Sequence, residues 1–144
     1  MQHKRPESVL VIVYTQNSQV LMLRRKYPHD FWQSVTGSLE WGEQADEAAS
    51  RELEEETGLV EQNIQDCEFS QDFEIYPIWR DRYAPGVTQN KEHVYRLQLA
   101  DVQDIQLDPK EHSEYQWLPR EQAIELAFSP SNQQAIERWV PNAD

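Results

Sequence analysis

One short stretch of the chain, residues 37–59, limits what it can fold into more than any other part of the sequence. It reads GSLEWGEQADEAASRELEEETGL, which is a glycine-containing loop followed by a helical composition that carries Glu52, Glu55 and Glu56. An advance of about 100° per residue places Glu56 about 40° to one side of Glu52 and Glu55 about 60° to the other. The three carboxylates are therefore predicted to share one face of the helix.

The other residues of this predicted helix, residues 44–57, indicate where the acidic face points. A merely solvated acidic face would have its apolar residues on the opposite side. Here the side of the acids carries small residues instead: Ala45, Ala48 and Ala49, with Leu53 at its border. The opposite side carries polar residues: Glu47, Ser50 and Glu54. We therefore expect the acids to point towards the body of the protein, close to the preceding loop.

Three inward-facing carboxylates repel one another and lose hydration unless a cation neutralises them. Because all their donor atoms are oxygens, they favour a hard divalent ion, Mg²⁺ first and Mn²⁺ as a substitute. Arg51 is placed to pair with Glu55 one turn later, or with Glu43 across the loop. Gly58 suits a left-handed helix end. The stretch therefore predicts a divalent metal site that an arginine helps to hold together.

Every defined position of residues 37–59 matches the Nudix box, G-x5-E-x7-R-E-U-x-E-E-x-G-U with U apolar. The chain therefore resembles the Nudix hydrolases. This resemblance implies an α/β fold in which a mixed β-sheet core is sandwiched between helices, with the catalytic loop and helix at about residues 37–59. It also implies an enzyme that hydrolyses a diphosphate linkage with the help of Mg²⁺.

The same resemblance assigns roles to individual residues. It implies that the catalytic residues are Arg51, Glu52, Glu55 and Glu56, of which the three glutamates bind the metal. The backbone carbonyl of Gly37 and the side chain of Glu111 are further candidate ligands. The general base stays open, since family members take it from the box or from a distant loop glutamate. Glu111 is the best distant candidate, although an ordinary solvated acid is an equal alternative there.

Segments outside the box resemble one bacterial subfamily, the dihydroneopterin triphosphate pyrophosphatases of folate synthesis. They are KRP at residues 4–6, FWQSVTGS at 31–38, FEI at 73–75, RYAPGVT at 82–88 and SNQQAIE at 131–137. The reaction implied is release of pyrophosphate from dihydroneopterin triphosphate, which leaves the monophosphate. The residues that this resemblance places at the substrate are Lys4, Arg25, Thr36, Phe73, Glu74, Ile75, Tyr76 and Ser129. Ser129 is followed by Pro130, which departs from the subfamily's wording.

Three other functions compete with this one. The first is the same chemistry on nucleoside triphosphates, because guanine and pterin share an aminopyrimidinone edge. The second is a Nudix-fold module that binds without catalysing, which such modules usually signal by losing box glutamates. The third is an acidic protein that only binds Ca²⁺ or Mg²⁺.

The charge of the chain bears on its partners. Its 144 residues include 26 acids and 13 bases, a formal net charge of −13. This excess argues against nonspecific binding to nucleic acid or to an anionic membrane, so the expected partner is a small-molecule triphosphate. The length fits one domain over residues 1–144, either a monomer or a homodimer. Cys67 is the lone cysteine, and neither a secretory signal nor a membrane-spanning run is visible, so we expect a cytoplasmic protein.

The apolar periodicity predicts the remaining elements. We expect strands at residues 7–15, 19–24, 33–36, 64–75, 92–100 and 114–118, with a break in the pattern at 28–30. We expect loops at residues 80–90 and 101–112, and two further helices at 121–128 and 132–140. Ser131 and Gln134 have the spacing of a capping box at the start of the last helix.

Overall fold

The computed structural model describes residues 3–26 and 31–143 of the chain. Within these ranges the elements are β1 (Glu7–Thr15), β2 (Gln19–Arg25), β3 (Phe31–Gln33), β4 (Val35–Ser38), α1 (Ala45–Thr57), β5 (Gln65–Glu74), a 3₁₀ segment (Pro77–Arg82), β6 (Gln89–Leu99), β7 (His112–Pro119), α2 (Arg120–Leu126) and α3 (Pro130–Trp139). The predicted break at residues 28–30 and the ends of the expected domain, Met1, Gln2 and Asp144, lie outside the described residues.

Strand β1 lies at the centre of the sheet because its run of Val, Ile and Leu is buried on both faces. It pairs in parallel with β6 from Glu7↔Lys91 to Thr15↔Leu99. It also pairs antiparallel with β4 and, at Tyr14↔Val20, with β2. The strand order is β3-β2-β1-β6-β5, with β7 beside β2. The sheet is therefore mixed, as predicted.

The alternation of side chains along β1 builds two cores, one on each face of the sheet. The odd positions Val9, Val11 and Val13 pack in a cluster with the buried side of α1. The even positions Leu10 and Ile12 pack in a second cluster with α2 and α3. Helices thus cover both faces, which confirms the predicted sandwich.

Helix α1 begins and ends on local signals that the sequence carries. The Gln44 amide donates to Glu47 Oε1 at 2.9 Å at the first turn. At the other end Gly58 adopts a left-handed conformation with φ of 77°, and its amide donates to the Glu54 carbonyl at 2.9 Å. Glycine is suited to this position because it has no Cβ to clash. The predicted helix over residues 44–57 and its stop at Gly58 are confirmed.

The single strand predicted for residues 33–36 is wrong, because two strands occupy this region. Strand β3 pairs with β2, whereas β4 pairs with β1. The chain changes partner at Ser34, whose amide donates to Asn132 Oδ1 at 2.8 Å. This long-range bond has no local sequence signal.

The predicted loop over residues 80–90 is also shorter than expected. Its first residues belong to the 3₁₀ segment, and β6 already begins at Gln89. The last helix begins at Pro130, and Ser129 rather than Ser131 caps it, since Ser129 Oγ accepts from the Asn132 amide at 3.1 Å. Proline fits the first helical position because its missing N–H is not needed there. The Ser129-Pro130 pair is therefore a helix start.

Strand β5 alternates poorly because a bulge interrupts it. Its register with β6 shifts between Asp66 and Phe69, and Glu68 has a positive φ of 53°. The extra residue locally breaks the period-2 pattern.

No helix in the described ranges is both long and apolar enough to cross a membrane.

We expect Leu53→Ala to lower the free energy of unfolding by about 2–5 kcal/mol, because it opens a cavity in the core between α1 and the sheet. Leu53 is 0% exposed. Val60→Ala is the matched control, since Val60 is 71% exposed and a surface truncation should change stability by about 0.5 kcal/mol or less. Urea unfolding of both variants checks this, and equal small losses would contradict the packing of α1.

Candidate functional site

The Arg51 guanidinium on α1 joins the helix to the loop before it. Its Nε and Nη2 donate to the two carboxylate oxygens of Glu43 at 2.8 and 2.9 Å. Its Nη1 donates to Glu52 at 2.8 Å and to Glu55 at 3.2 Å. Nη2 also donates to the Ser38 carbonyl at 3.1 Å. Both predicted pairings of Arg51 are present, and one side chain fixes the loop against the helix.

Gly37 on β4 lies directly against the Glu52 carboxylate. A Cβ placed on Gly37 would come within 2.1 Å of Glu52 Cδ. Every other residue type would therefore displace this carboxylate. The close approach of loop and helix that we predicted occurs at the acid itself.

The three glutamates of the box differ in exposure. The side chains of Glu52 and Glu56 are 13% and 6% exposed, whereas that of Glu55 is 54% exposed. The prediction that all three acids point inward is therefore wrong for Glu55, which lies at the rim beside Arg51. The residues predicted to be solvated are exposed: Glu47, Ser50 and Glu54.

Glu56 is enclosed by groups from other elements. Its Oε1 lies 3.5 Å from His112 Nδ1, and the backbone of Thr36 hydrogen-bonds its carboxylate. On the other side of the ring, His112 Nε2 lies 3.2 Å from Gln33 Nε2, so Gln33 donates to an unprotonated Nε2. Strands β3, β4 and β7 thus hold this acid in place.

The pKa values of this group are shifted by burial and by charge. Burial and the neighbouring charge of Glu52 raise the pKa of Glu56 well above its usual range, and burial also raises the pKa of Glu52. The hydrogen bonds from Arg51 instead lower the pKa of Glu43. Burial, with a smaller effect of the Arg25 charge, lowers the pKa of His112 to about 4. Negative charge on Glu52 and Glu56 is therefore poorly compensated by the protein alone.

The site has the donor atoms of a hard-cation site. Glu56 Oε2 is buried without a hydrogen-bond partner among the described residues, and Glu52 lies next to it. A divalent cation would relieve both the missing partner and the repulsion between the two acids. The acids do not yet form a closed cluster, since no three potential ligand side chains converge within the part of the chain that is described. Arg51 holds Glu52 and Glu55 in their present positions.

Two adjoining cavities surround this site. The acidic cavity, of about 610 Å³, is lined by Arg51, Glu52, Glu55, Glu56 and Glu111 among others. Glu111, although distant in sequence, is thus brought to the same cavity as the box glutamates. The aromatic cavity, of about 470 Å³, lies on the other side and is lined by rings: Phe31, Phe73, Tyr76, Trp79, Tyr83 and Phe128.

A set of basic residues stands where the two cavities meet. Lys4, Arg25 and Arg82 line both cavities. Partial removal from water, together with the positive charges of Arg82 and Arg25, lowers the pKa of Lys4. The Arg25 guanidinium also lies 5.3 Å from the centre of the Trp79 ring. This boundary is therefore a local concentration of positive charge on a strongly acidic protein.

The structure brings the predicted substrate residues to these cavities. Lys4, Arg25 and Thr36 line both, whereas the remaining predicted ones line the aromatic cavity: Phe73, Glu74, Ile75, Tyr76 and Ser129. The hydroxyl groups of two of these residues already make hydrogen bonds within the protein. Thr36 Oγ1 donates to the Val9 carbonyl at 2.9 Å, and the Ser129 hydroxyl caps α3.

Sequence reasoning missed several polar residues at the site. Arg82 and His112 were not singled out, and neither were Asn90 and Glu92. The last two stand at alternate positions of β6 that face the sheet's buried side, where apolar residues are the norm. Polar residues at such positions are the signal that was available in the sequence.

Comparison with known proteins supports the resemblance found in the sequence. The NUDIX domain family model matches residues 4–140. A protein of Escherichia coli K12 named dihydroneopterin triphosphate diphosphatase is 47% identical over 146 residues, covering 98% of this chain and 96% of that protein. A protein of the same name from Haemophilus influenzae is 40% identical, covering 99% of this chain and 92% of that protein.

Solved structures agree with these relatives. The structure of the E. coli dihydroneopterin triphosphate pyrophosphohydrolase superposes with a TM-score of 0.90 at 45% identity, covering 97% of this chain and 98% of that one.

A relative with another activity in its name also matches in sequence. This RNA pyrophosphohydrolase of Acinetobacter baylyi is 32% identical over 120 residues, covering 77% of this chain and 71% of that protein.

We expect Arg51→Ala to destabilise the protein by about 2 kcal/mol, because it leaves the partly buried Glu43 and Glu52 without their cation. The Glu43 and Glu52 side chains are each 13% exposed. Glu114→Ala is the control, because it removes a more exposed ion pair with Arg24 and should cost about 1 kcal/mol or less. Denaturant unfolding compares the two, and an Arg51→Ala loss no larger than the control would contradict the role of Arg51 as the joint.

A second prediction concerns pH. His112 has its pKa lowered to about 4 in the folded protein, whereas an unfolded histidine titrates near about 6.5. As the pH falls from about 6.5 to about 4, the unfolded state binds a proton first, so His112 should reduce stability by up to about 3 kcal/mol.

The test compares unfolding free energies of wild type and His112→Gln between pH 7.5 and 4, in the presence of a chelator. The wild type should lose stability relative to the variant over this window. His3→Gln, at an exposed histidine, should keep the wild-type dependence. Parallel curves for wild type and His112→Gln would show that His112 takes up its proton normally.

Proposed function

Because this chain belongs to the Nudix family, we propose that it is a Nudix pyrophosphohydrolase that converts dihydroneopterin triphosphate and water into dihydroneopterin monophosphate and pyrophosphate. The relatives that carry this activity in their names align with nearly the whole chain. The proposal covers one domain, and its substrate is a small molecule.

The observation that carries this proposal is the junction of two unlike cavities. One is walled by aromatic rings and the other by carboxylates, and three basic residues stand between them. A flat heterocycle joined to a triphosphate has the same order of chemical groups. The ring would occupy the aromatic cavity, since aromatic walls favour stacking, and the phosphates would extend towards the acids.

The basic residues give the phosphate chain a path towards an otherwise repulsive site. Lys4, Arg25 and Arg82 supply charge-assisted hydrogen bonds to phosphate oxygens. Burial, together with the positive charges of Arg82 and Arg25, lowers the pKa of Lys4, and an anion among the three cations would relieve their mutual repulsion. This local attraction offsets the overall negative charge of the protein.

The acidic cavity would hold the metal. Glu56 and Glu52 are the central ligands that we propose, with Glu55, Glu111 and the Gly37 carbonyl as further oxygen donors. Enzymes of the family generally use divalent ions, and the oxygen-only donor set favours Mg²⁺, with Mn²⁺ as a substitute. When bound, the ion supplies Lewis-acid polarisation of phosphate oxygens and a lowered pKa of water. Arg51 orients the carboxylates. Hydrolysis by a metal-activated water requires no serine or cysteine nucleophile.

Cys67 illustrates the last point. Burial raises the pKa of its thiol to about 11, so the thiolate is scarce at neutral pH. Its side chain packs against the core on the side of α2 and α3.

The competing functions are separated by substrate. Hydrolysis of nucleoside triphosphates would use the same acids. The Acinetobacter relative is named for a different substrate, RNA. A binding module without catalysis is opposed by the complete set of box glutamates.

Product analysis with Mg²⁺ tests the proposal directly. We expect monophosphate and pyrophosphate from dihydroneopterin triphosphate at a far higher kcat/KM than from a panel of nucleoside triphosphates. Activity should disappear with a chelator and return with Mg²⁺. A higher kcat/KM on nucleotides would make a nucleoside triphosphate the substrate instead of the pterin. No turnover of any triphosphate would favour the binding module.

We also expect Glu56→Gln to lower kcat by about 100-fold or more while the protein stays folded, because it removes the buried ligand oxygen. Glu54→Gln is the matched control, since Glu54 lies on the exposed face of the same helix. Its kcat should stay within about twofold of wild type. Steady-state kinetics decides, and a fall of less than about tenfold for Glu56→Gln would remove Glu56 from the central role.

A further inference from the structure

The floor of the aromatic cavity is unusually polar for the buried face of a sheet. Asn90 and Glu92 on β6 both line this cavity and are only 2% and 5% exposed. They stand two residues apart on one strand, so their side chains leave the same face. Ser8 of β1 and Gln71 of β5 are their cross-strand neighbours or partners, and both line the cavity too.

Glu92 is a carboxylate held by neutral groups. Its Oε1 accepts from Gln71 Nε2 at 3.1 Å, and the Ser131 side chain also hydrogen-bonds the carboxylate. Burial raises the pKa of Glu92, so its placement costs folding energy. An apolar side chain of similar volume would stabilise the fold more than this buried carboxylate does. The presence of Glu92 at this position therefore points to a role in ligand binding.

Asn90 has an acceptor without a partner. Its Nδ2 donates to Ser8 Oγ at 2.8 Å, which fixes the orientation of the amide. Its Oδ1 is buried and has no hydrogen-bond partner among the described residues. Such an unpaired buried oxygen costs about 1–3 kcal/mol, so a ligand that donates a hydrogen bond to it would recover this free energy on binding.

Rings form the wall above this floor. Tyr76 and Phe128 meet edge to face with centroids 5.7 Å apart, and Phe128 stacks on Phe31 at 4.2 Å. The cavity therefore combines stacking surface with acceptors at its base. A planar heterocycle rich in N–H donors matches both.

We propose that Glu92 and Asn90 are the specificity-determining residues that bind the 2-amino-4-oxopyrimidine edge of the substrate ring. This inference rests on the proposed function and names the residues that select its ring. The edge carries a ring N–H and an exocyclic amino group. The Glu92 carboxylate accepts from both in a bidentate pair, and Asn90 Oδ1 accepts the remaining amino hydrogen.

The pairing also defines what the site rejects. A ring with a carbonyl oxygen in place of the 2-amino group would set that oxygen against the carboxylate and leave Asn90 Oδ1 unpaired. A site built to receive hydrogen bonds discriminates strongly against an analogue that lacks them. Pterin and guanine share the 2-amino-4-oxo edge, so both rings belong in the test.

The first experiment needs no substitution. It measures kcat/KM of the wild type on dihydroneopterin triphosphate and GTP, and on the 2-oxo analogue of each, the corresponding lumazine triphosphate and XTP. We expect the 2-amino pterin to exceed its 2-oxo analogue by about 100-fold. The same ratio for the guanine pair, at lower absolute rates, would show that the edge is read and that the pterin is the preferred source. Equal rates on 2-amino and 2-oxo substrates would overturn the inference.

The second experiment exchanges the carboxylate for an amide. Glu92→Gln keeps one acceptor oxygen and gains an N–H that suits a 2-oxo group. We expect kcat/KM on dihydroneopterin triphosphate to fall about 100-fold, mainly through KM, and that on the lumazine analogue to rise above the wild-type value. Turnover of the lumazine analogue also shows that the variant is folded. Glu125→Gln, at an exposed glutamate of α2, is the control and should change neither substrate.

The outcomes separate this inference from the proposed function. Wild-type turnover of dihydroneopterin triphosphate with unchanged selectivity in Glu92→Gln would overturn the role of Glu92 alone. A wild type that ignores the pterin but selects GTP over XTP through Glu92 would keep the edge reading and discard the pterin. If Glu92→Gln does not fold, the wild-type comparison still tests the inference, because equal rates on 2-amino and 2-oxo substrates would overturn it.

Discussion

The fork that Arg51 makes with the loop and with its own helix is the interaction on which the rest of the site depends. The guanidinium joins Glu43 and the Ser38 carbonyl to Glu52 within hydrogen-bonding distance. This positions the Glu52 carboxylate against Gly37, where no side chain would fit. A single planar cation thus allows several acids to stand close together, which they would otherwise resist through repulsion and lost hydration.

The sheet determines how the two halves of the site meet. Alternate residues of β1 support α1 on one face and α2 with α3 on the other. The acidic cavity therefore belongs to the face of α1, and the aromatic cavity extends over the opposite face. Residues 36–38 of β4 line both cavities, so the acidic and the aromatic cavity meet at this strand.

The sequence predicted the parts of this arrangement that follow from local patterns. The box specified the helix, its stop at Gly58 and the pairing of Arg51, because each depends on residues a few positions apart. It misplaced Glu55, since helical angles alone do not show where the body of the protein ends and solvent begins. It also missed His112 and Glu92. Their partners, Glu56 and Gln71, come from other elements, and only the strand pairing brings them within reach.

The change of strand partner at Ser34 has a consequence for the order in which the protein is completed. Ser34 and Asn132 exchange two hydrogen bonds. The Ser34 backbone amide donates to Asn132 Oδ1 at 2.8 Å, and Asn132 Nδ2 donates to Ser34 Oγ at 3.0 Å. Nearby, the Phe128 amide donates to the Trp32 carbonyl at 3.0 Å. The box and its acids are translated long before residue 132. A ribosome must therefore synthesise residues 128–132 before β3 and β4 gain these contacts, so the change of strand partner at Ser34 is completed only after the box has been translated.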